Sequence, residues 1–474
     1  MTILTLRNVE VAGRSGLDVR IENGRITAIG HRLPSDGDSR DGAGGALIPG
    51  LCDHHIHLLA LAAQADSVDL HGVTTPAAFA ARLVSATQAR APGRWIRVTG
   101  YHETLAGELT RESLDHLAPG HPVRVQHQTG ALWMLNSQAI ARLGEGDDPP
   151  GLERASGRLW RGDAWLRARI GADLPPLAPI GQRLASYGIT HLTDASVTTD
   201  AGTARLLADA HRRGELPQHL TLMSGGALQR PADGAFAVGP LKILLDDHAL
   251  LDLDDFVARI GEARRQARAV AVHCVTAGEL ALSLAAFATA GAMPGDRIEH
   301  GGVIPAGAVP VLRSLGLTVV TQSAFIRERG DRYAAEVDPV EQGDLYRCAS
   351  LLAAGIAVAG SSDAPYASPD PWQGIAAAVD RRSHGGLVLG RGEAVATQTA
   401  LDLDHDAPAA PGRLRRRIEV GAPADLCLLR TSLADALNAP AAAGVAATVI
   451  AGNVYPADLG FESGAESIKP LPEA

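Results

Sequence analysis

Five side chains of metal-ligand type and one lysine carry most of the chemical information in this chain. The run Asp53-His54-His55-Ile56-His57 sets two histidines two residues apart, so on a strand both face the same way. Two neutral imidazoles on one face are the beginning of a site for zinc or a similar divalent ion, and a pair of ordinary loop histidines is the plain alternative. His273 lies in the apolar run AVAVHCV, His300 in RIEHGGV, and Asp363 in IAVAGSSDA. Taken singly, each has a structural reading: a satisfied core histidine, or for Asp363 an N-cap before Pro365. The chain holds only two lysines, Lys242 and Lys469, against a total of 43 Lys plus Arg. Lys469 sits in a polar, proline-flanked tail, whereas Lys242 sits inside VGPLKILL. A lysine kept in an apolar run suggests chemistry that a guanidinium cannot supply. Burial lowers the pKa of an amine, and a neutral amine reacts with carbon dioxide to give a carbamate, a two-oxygen ligand able to bridge two metal ions. A salt bridge from Lys242 to Asp246 or Asp247 is the structural alternative.

These residues need elements to position them. Short apolar runs alternate with Ala/Leu/Arg-rich helical stretches from about residue 188 onward. The runs are GITHLTDAS (188–196), HLTLMS (219–224), VGPLKILL (238–245), AVAVHCV (269–275), RIEHGGV (297–303), LTVVTQS (317–323) and IAVAGSSDA (356–364). Nearly continuous apolar runs at this spacing fit parallel strands covered on both faces. With ALIPGLCDHHIH (46–57) as the first they make eight, the count of a closed βα barrel. An open doubly wound sheet is the runner-up, but no glycine-rich phosphate loop follows the first strand. In such a barrel the chemistry gathers at the C-terminal strand ends, and all six residues fall in these strands, mostly at those ends. Gln322 and Ser323, at the end of the seventh strand, face the same mouth.

Both chain ends read as β structure. LDVRIENGRITAIG is a hairpin around Asn23-Gly24, IEVGAPADLCLL reads strand–turn–strand, and AATVIAGNVYPA turns at Gly452-Asn453. The expected architecture is therefore an α/β (β/α)8 TIM-like barrel (49–413) with a small β-sandwich domain from both termini (1–48 plus 414–474). A long insertion after the first barrel strand, about 60–187, carries WIRVTGYHE, VRVQHQTG and four of the five tryptophans. It is expected to cover the barrel mouth. His102, His127 and Trp133 are its candidate substrate contacts, with a small structural core as the alternative for the tryptophans.

Composition excludes several function classes. Hydrophobic residues are 46% and charged residues 20%, ordinary for a globular enzyme that buries a core without staples. A net charge of −10 argues against nucleic acid or an anionic membrane as partner. Cys52, Cys274, Cys348 and Cys427 are too scattered for a disulfide framework or a CxxC zinc site. No signal-peptide pattern or apolar span stands out, so a cytoplasmic protein with a small-molecule substrate is expected, and a homo-oligomer stays open.

The order HxH, Lys, His, His, Asp on strands one, four, five, six and eight resembles the amidohydrolase superfamily of metal-dependent hydrolases. LIPGLCDHHIHL, GITHLTDAS, LKILL, RIEHGG, GSSDAP and GAPADLCLL resemble amidohydrolase family 3, the group containing N-substituted formamide deformylase. The resemblance implies His55, His57 and Asp363 on one metal ion, His273 and His300 on a second, and carbamylated Lys242 between them. It implies zinc or a similar ion, one or two per chain, with Asp363 as the catalytic proton carrier and water attacking an amide-type C–N bond: N-acyl, N-formyl or cyclic amide. Two positions depart from the family pattern. Thr129-Gly130-Ala131 replaces a usual Asp-Gly-His, and Ala277 replaces an acidic residue, and both bear on the substrate rather than on the reaction. The alternatives are a mononuclear deaminase or a lactone or ester hydrolase of the same superfamily and, from another class, a metal-free scaffold. The six intact ligand positions speak against the scaffold.

Overall fold

The structure is a computed structural model that describes residues 2–457 except 35, 71, 72, 171–174 and 246–249. The chain divides into two compact units: one runs to Leu58 and resumes at Leu177, and the other is Leu59–Pro176.

Among the described residues, eight parallel strands form the central sheet of the first unit. In order they are Leu51–Ile56, Ile189–Asp194, His219–Ser224, Ala237–Ile243, Val270–Cys274, Arg297–His300, Thr318–Thr321 and Ala357–Gly360. Each pairs with its sequence neighbour. The ring closes beyond the formal strands, where the Asp363 N–H donates to His55 O (2.8 Å) and the His57 N–H to Ala364 O (2.9 Å). Alternation sends Leu241, Ile243, Val270, Val272 and Cys274 outward into one core with Phe256, Ile260, Leu280 and Phe287 of the covering helices. Burying that apolar layer is the main force holding the ring.

The terminal strands form an eight-stranded mixed sheet in which Leu426–Leu429 pairs with both Ala46–Pro49 and Val445–Ile450. The Asn23-Gly24 hairpin forms as expected, with both residues left-handed (φ 49° and 75°), as a two-residue turn needs. Three local readings are corrected. The run 46–57 is two strands in two sheets, broken at Gly50, where a side chain would meet Thr190 at 2.2 Å. In IEVGAPADLCLL only Leu426–Leu429 is a strand; Pro423 makes one isolated bridge to Arg25 and lacks an N–H for a ladder. The last hairpin turns at Ala451-Gly452, both left-handed, because Asn453 already pairs with Ile450.

The second unit holds a six-stranded sheet, with Ile96–Tyr101 beside Val123–His127. No helix among the described residues is long and apolar enough to cross a membrane.

Candidate active site

His55 and His57 leave the first barrel strand on one side and meet Asp363 from the eighth. His55 Nε2 lies 3.4 Å and His57 Nε2 3.2 Å from Asp363 Oδ1. Ligand atoms about 2.1 Å from a common tetrahedral centre are about 3.4 Å apart, so these spacings suit a shared ion. The side chains of His55 and Asp363 are almost fully buried, yet His55 Nε2, Asp363 Oδ1 and Lys242 Nζ have no hydrogen-bond partner. Buried polar atoms are almost always satisfied, so an unpaired imidazole nitrogen and an unpaired carboxylate oxygen 3.4 Å apart fit a cation held between them. The donor set of imidazole and carboxylate fits a zinc-like ion.

The other two histidines join the same cluster by their rings. The His300 ring centroid is 4.7 Å from that of His55 and 4.5 Å from that of His273. Burial, with Lys242 close by, holds the His55 imidazole well below its usual pKa, and His300 is held down likewise; burial puts His273 at about 3. All three are therefore neutral at pH 7, the state a metal needs. Burial also lowers the Lys242 ammonium pKa, in the direction that frees its amine. The suggested partners Asp246 and Asp247 lie outside the described residues, as does Lys469.

Backbone conformation aims two of these side chains. Glu299 points to His55, so regular alternation would turn the next residue, His300, away. His300 instead takes φ +68°, and Asp363 takes φ +57°. Left-handed non-glycine residues cost about 1–3 kcal/mol each and cluster at functional sites.

Several supporting residues escaped the sequence reading. Glu299 accepts from His55 Nδ1 and from Arg297 Nε, and Arg297 also donates to His54 O at 3.1 Å. A carboxylate on Nδ1 fixes the tautomer and presents the Nε2 lone pair to the site. Ser196 Oγ lies 3.0 Å from His57 Nδ1. Asp53 accepts from the Ser362 hydroxyl (2.5 Å) and from the N–H groups of Ser362 and His55, tying strand one to the Asp363 loop. Burial pushes its carboxyl up to about 6. The available signal was two charged residues, Arg297 and Glu299, at i and i+2 inside a short strand.

The remaining candidates divide. Gln322 is buried and holds His300, its Oε1 2.9 Å from Nδ1, while its amide nitrogen donates to Ser361 Oγ (2.8 Å). Ser323 is buried at the N-cap of the helix Ala324–Glu336. His102 and His127 come together in the second unit on Glu103, their Nε2 atoms 3.8 Å and 3.1 Å from Oε2. Trp133 packs in the interior of that unit beside Trp95, and its indole N–H donates to Asp163 at 2.9 Å. Cys274 turns from the site into the helix-facing core, with Sγ 3.1 Å from Ser283 Oγ. Cys274→Ser and Cys52→Ser are expected to keep the wild-type metal content by elemental analysis. Metal loss in folded Cys274→Ser would show that the strand face is misassigned.

Comparison with known proteins agrees with this geometry. Residues 39–456 match the amidohydrolase family. N-substituted formamide deformylase of Arthrobacter pascens is 24% identical, covering 90% of this chain and 92% of its own. A metal-dependent hydrolase of Pyrococcus horikoshii OT3 superposes with a TM-score of 0.73 at 20% identity, over 90% of this chain and 97% of that one. N-isopropylammelide isopropylaminohydrolase of Burkholderia multivorans gives 0.54 at 21% identity, over 96% and 98%.

Proposed function

The chain belongs to the amidohydrolase family, whose members are metal-dependent hydrolases, and on that premise we propose that it cleaves an amide-type C–N bond in a small molecule, an N-acyl, N-formyl or cyclic amide. The observation that carries this reading is the convergence of unpartnered His55 Nε2, Asp363 Oδ1 and Lys242 Nζ beside His57, His273 and His300. The formamide deformylase similarity over nearly the whole chain favours an N-acyl or N-formyl amine.

In this reading His55, His57 and Asp363 would hold one divalent ion and His273 and His300 a second, with carbamylated Lys242 as a further ligand. Such ions supply Lewis acidity and make bound water acidic near neutral pH. The protein's own side chains do the rest. Asp363, whose Oδ1 faces His55 and His57 as the ligand atom, takes the proton of the attacking water at Oδ2 and returns it to the leaving nitrogen. Glu299 keeps the proton on His55 Nδ1, and Gln322 does the same for His300. The left-handed backbones of His300 and Asp363 hold both groups in place before substrate arrives.

One test combines metal content with a substrate screen. Protein purified without chelator is expected to carry about two zinc-like ions per chain that are lost when His55, His57, His273 and His300 are replaced together by alanine, and to hydrolyse at least one class among N-formyl amines, N-acyl amines and cyclic amides. A strong chelator should abolish that activity. Full activity at near-zero metal would sink the reading, and turnover confined to lactones would move it to the ester branch.

A single-ion deaminase-like site is the second reading. It is favoured by one observation: the ligand atoms of His55, His57 and Asp363 already form a compact three-residue group without Lys242. Loss of only one ion per chain when His55, His57, His273 and His300 are replaced together by alanine would select it. Under either reading Glu299→Gln should weaken metal affinity or activity by about 10–100-fold, the usual cost of losing a carboxylate behind a ligating histidine. Metal titration of the variant checks this, and wild-type affinity would remove Glu299 from the site.

A further inference from the structure

A second cluster of ligand-type side chains lies at the N-terminal end of the barrel, away from Asp363. His191 and His219 are register partners on the second and third strands, so their side chains share a face, with ring centroids 4.6 Å apart. Asp425 reaches them from the residue before the strand Leu426–Leu429 of the terminal sheet. Its Oδ1 is 2.9 Å from His219 Nε2, and its Oδ2 is 3.9 Å from His191 Nε2. One ligand atom from each residue can be chosen so that all three lie within 4.8 Å of one another. The two spacings bracket the roughly 3.4 Å that tetrahedral coordination demands.

The ligands are held before any ion arrives. Asp425 Oδ1 accepts from the Ala451 N–H (2.8 Å), and the Asp425 carbonyl accepts from Gly50 (2.9 Å), the break between two sheets. His191 Nδ1 lies 2.9 Å from Thr190 Oγ1, whose hydroxyl reaches Leu51 O at 3.3 Å. That relay places the proton on Nδ1 and frees Nε2, the arrangement found behind metal-ligating histidines. Burial keeps His191 neutral, while the His219 side chain, 41% exposed, gives an ion a way in from solvent.

We propose that His191, His219 and Asp425 bind a zinc-like divalent ion, separate from the catalytic one, that clamps the second and third barrel strands to the terminal sheet. The competing arrangement is a plain hydrogen-bonded cluster. Arg416 Nη1, 3.3 Å from His191 Nδ1, would then donate to that nitrogen, and Nε2 would carry a proton toward Asp425 and bind nothing.

Metal counting separates the two. After equilibration with zinc and removal of the free ion, His219→Ala should carry one zinc per chain fewer than wild type with its hydrolase activity kept. A His55→Ala/His57→Ala protein should still lose one zinc per chain when His219→Ala is added, so failure of the catalytic reading would not imitate failure here. His219→Cys preserves a ligand. Its cobalt-loaded form should show a thiolate-to-cobalt charge-transfer band absent from wild type. Equal zinc counts for wild type and His219→Ala, or a His219→Cys protein without that band, would overturn the site.

Discussion

Lys242→Ala is expected to lose activity by about 1,000-fold or more, since a metal-supplied charge is worth several kcal/mol in the transition state. The Lys242 amine is buried, without a hydrogen-bond partner, and shifted by burial toward its neutral form. A neutral amine adds to carbon dioxide, forming an N–C bond and releasing a proton, and the resulting carbamate offers two oxygens. Removing the side chain beyond Cβ removes that bridge and leaves a space the size of a short carboxylic acid. Acetate or propionate should therefore restore part of the activity and of the metal content. Lys242→Arg should be inactive and beyond rescue, because the guanidinium fills the space and keeps its charge. A salt bridge as the lysine's only role gives the opposite result, since arginine pairs with carboxylates at least as well. A fully active Lys242→Arg enzyme would eliminate the carbamate and put the single-ion site first.

Asp363→Asn should lower kcat by about 10²–10⁴-fold, the usual contribution of a positioned proton carrier. Asparagine suits this test because Asp363 has φ +57°, a region asparagine tolerates far better than alanine. The His55 and Ala364 backbone bonds that close the barrel do not involve the side chain, so the variant should fold and melt near wild type. Circular dichroism and steady-state kinetics on one preparation measure both. A folded Asp363→Asn enzyme within tenfold of wild type would remove Asp363 from the proton path.

The amino-acid pattern carries the eight-strand periodicity, the candidate ligand types and the strand from which each candidate comes. Alternating burial and ligand chemistry are local properties, so HxH in strand one or a lysine inside VGPLKILL shows them without a partner in view. What lay beyond it was anything that depends on how the ring closes. Glu299 reaches His55 across 244 residues, and Ser362 reaches Asp53 across 309. Neither pairing leaves a trace in the local pattern. The inward turn of His300 was equally hidden, since a single left-handed residue reverses a strand's facing and a histidine does not announce it as a glycine would. Gly50 was visible as a glycine, but its role was not. Only Thr190, brought against it by the neighbouring strand, leaves no room there for a side chain where the chain passes from one sheet to the next. Tertiary structure alone also decided that Lys242, His55 and Asp363 keep unpaired polar atoms in a buried place, because satisfaction is a property of everything that surrounds an atom and not of the residue that carries it.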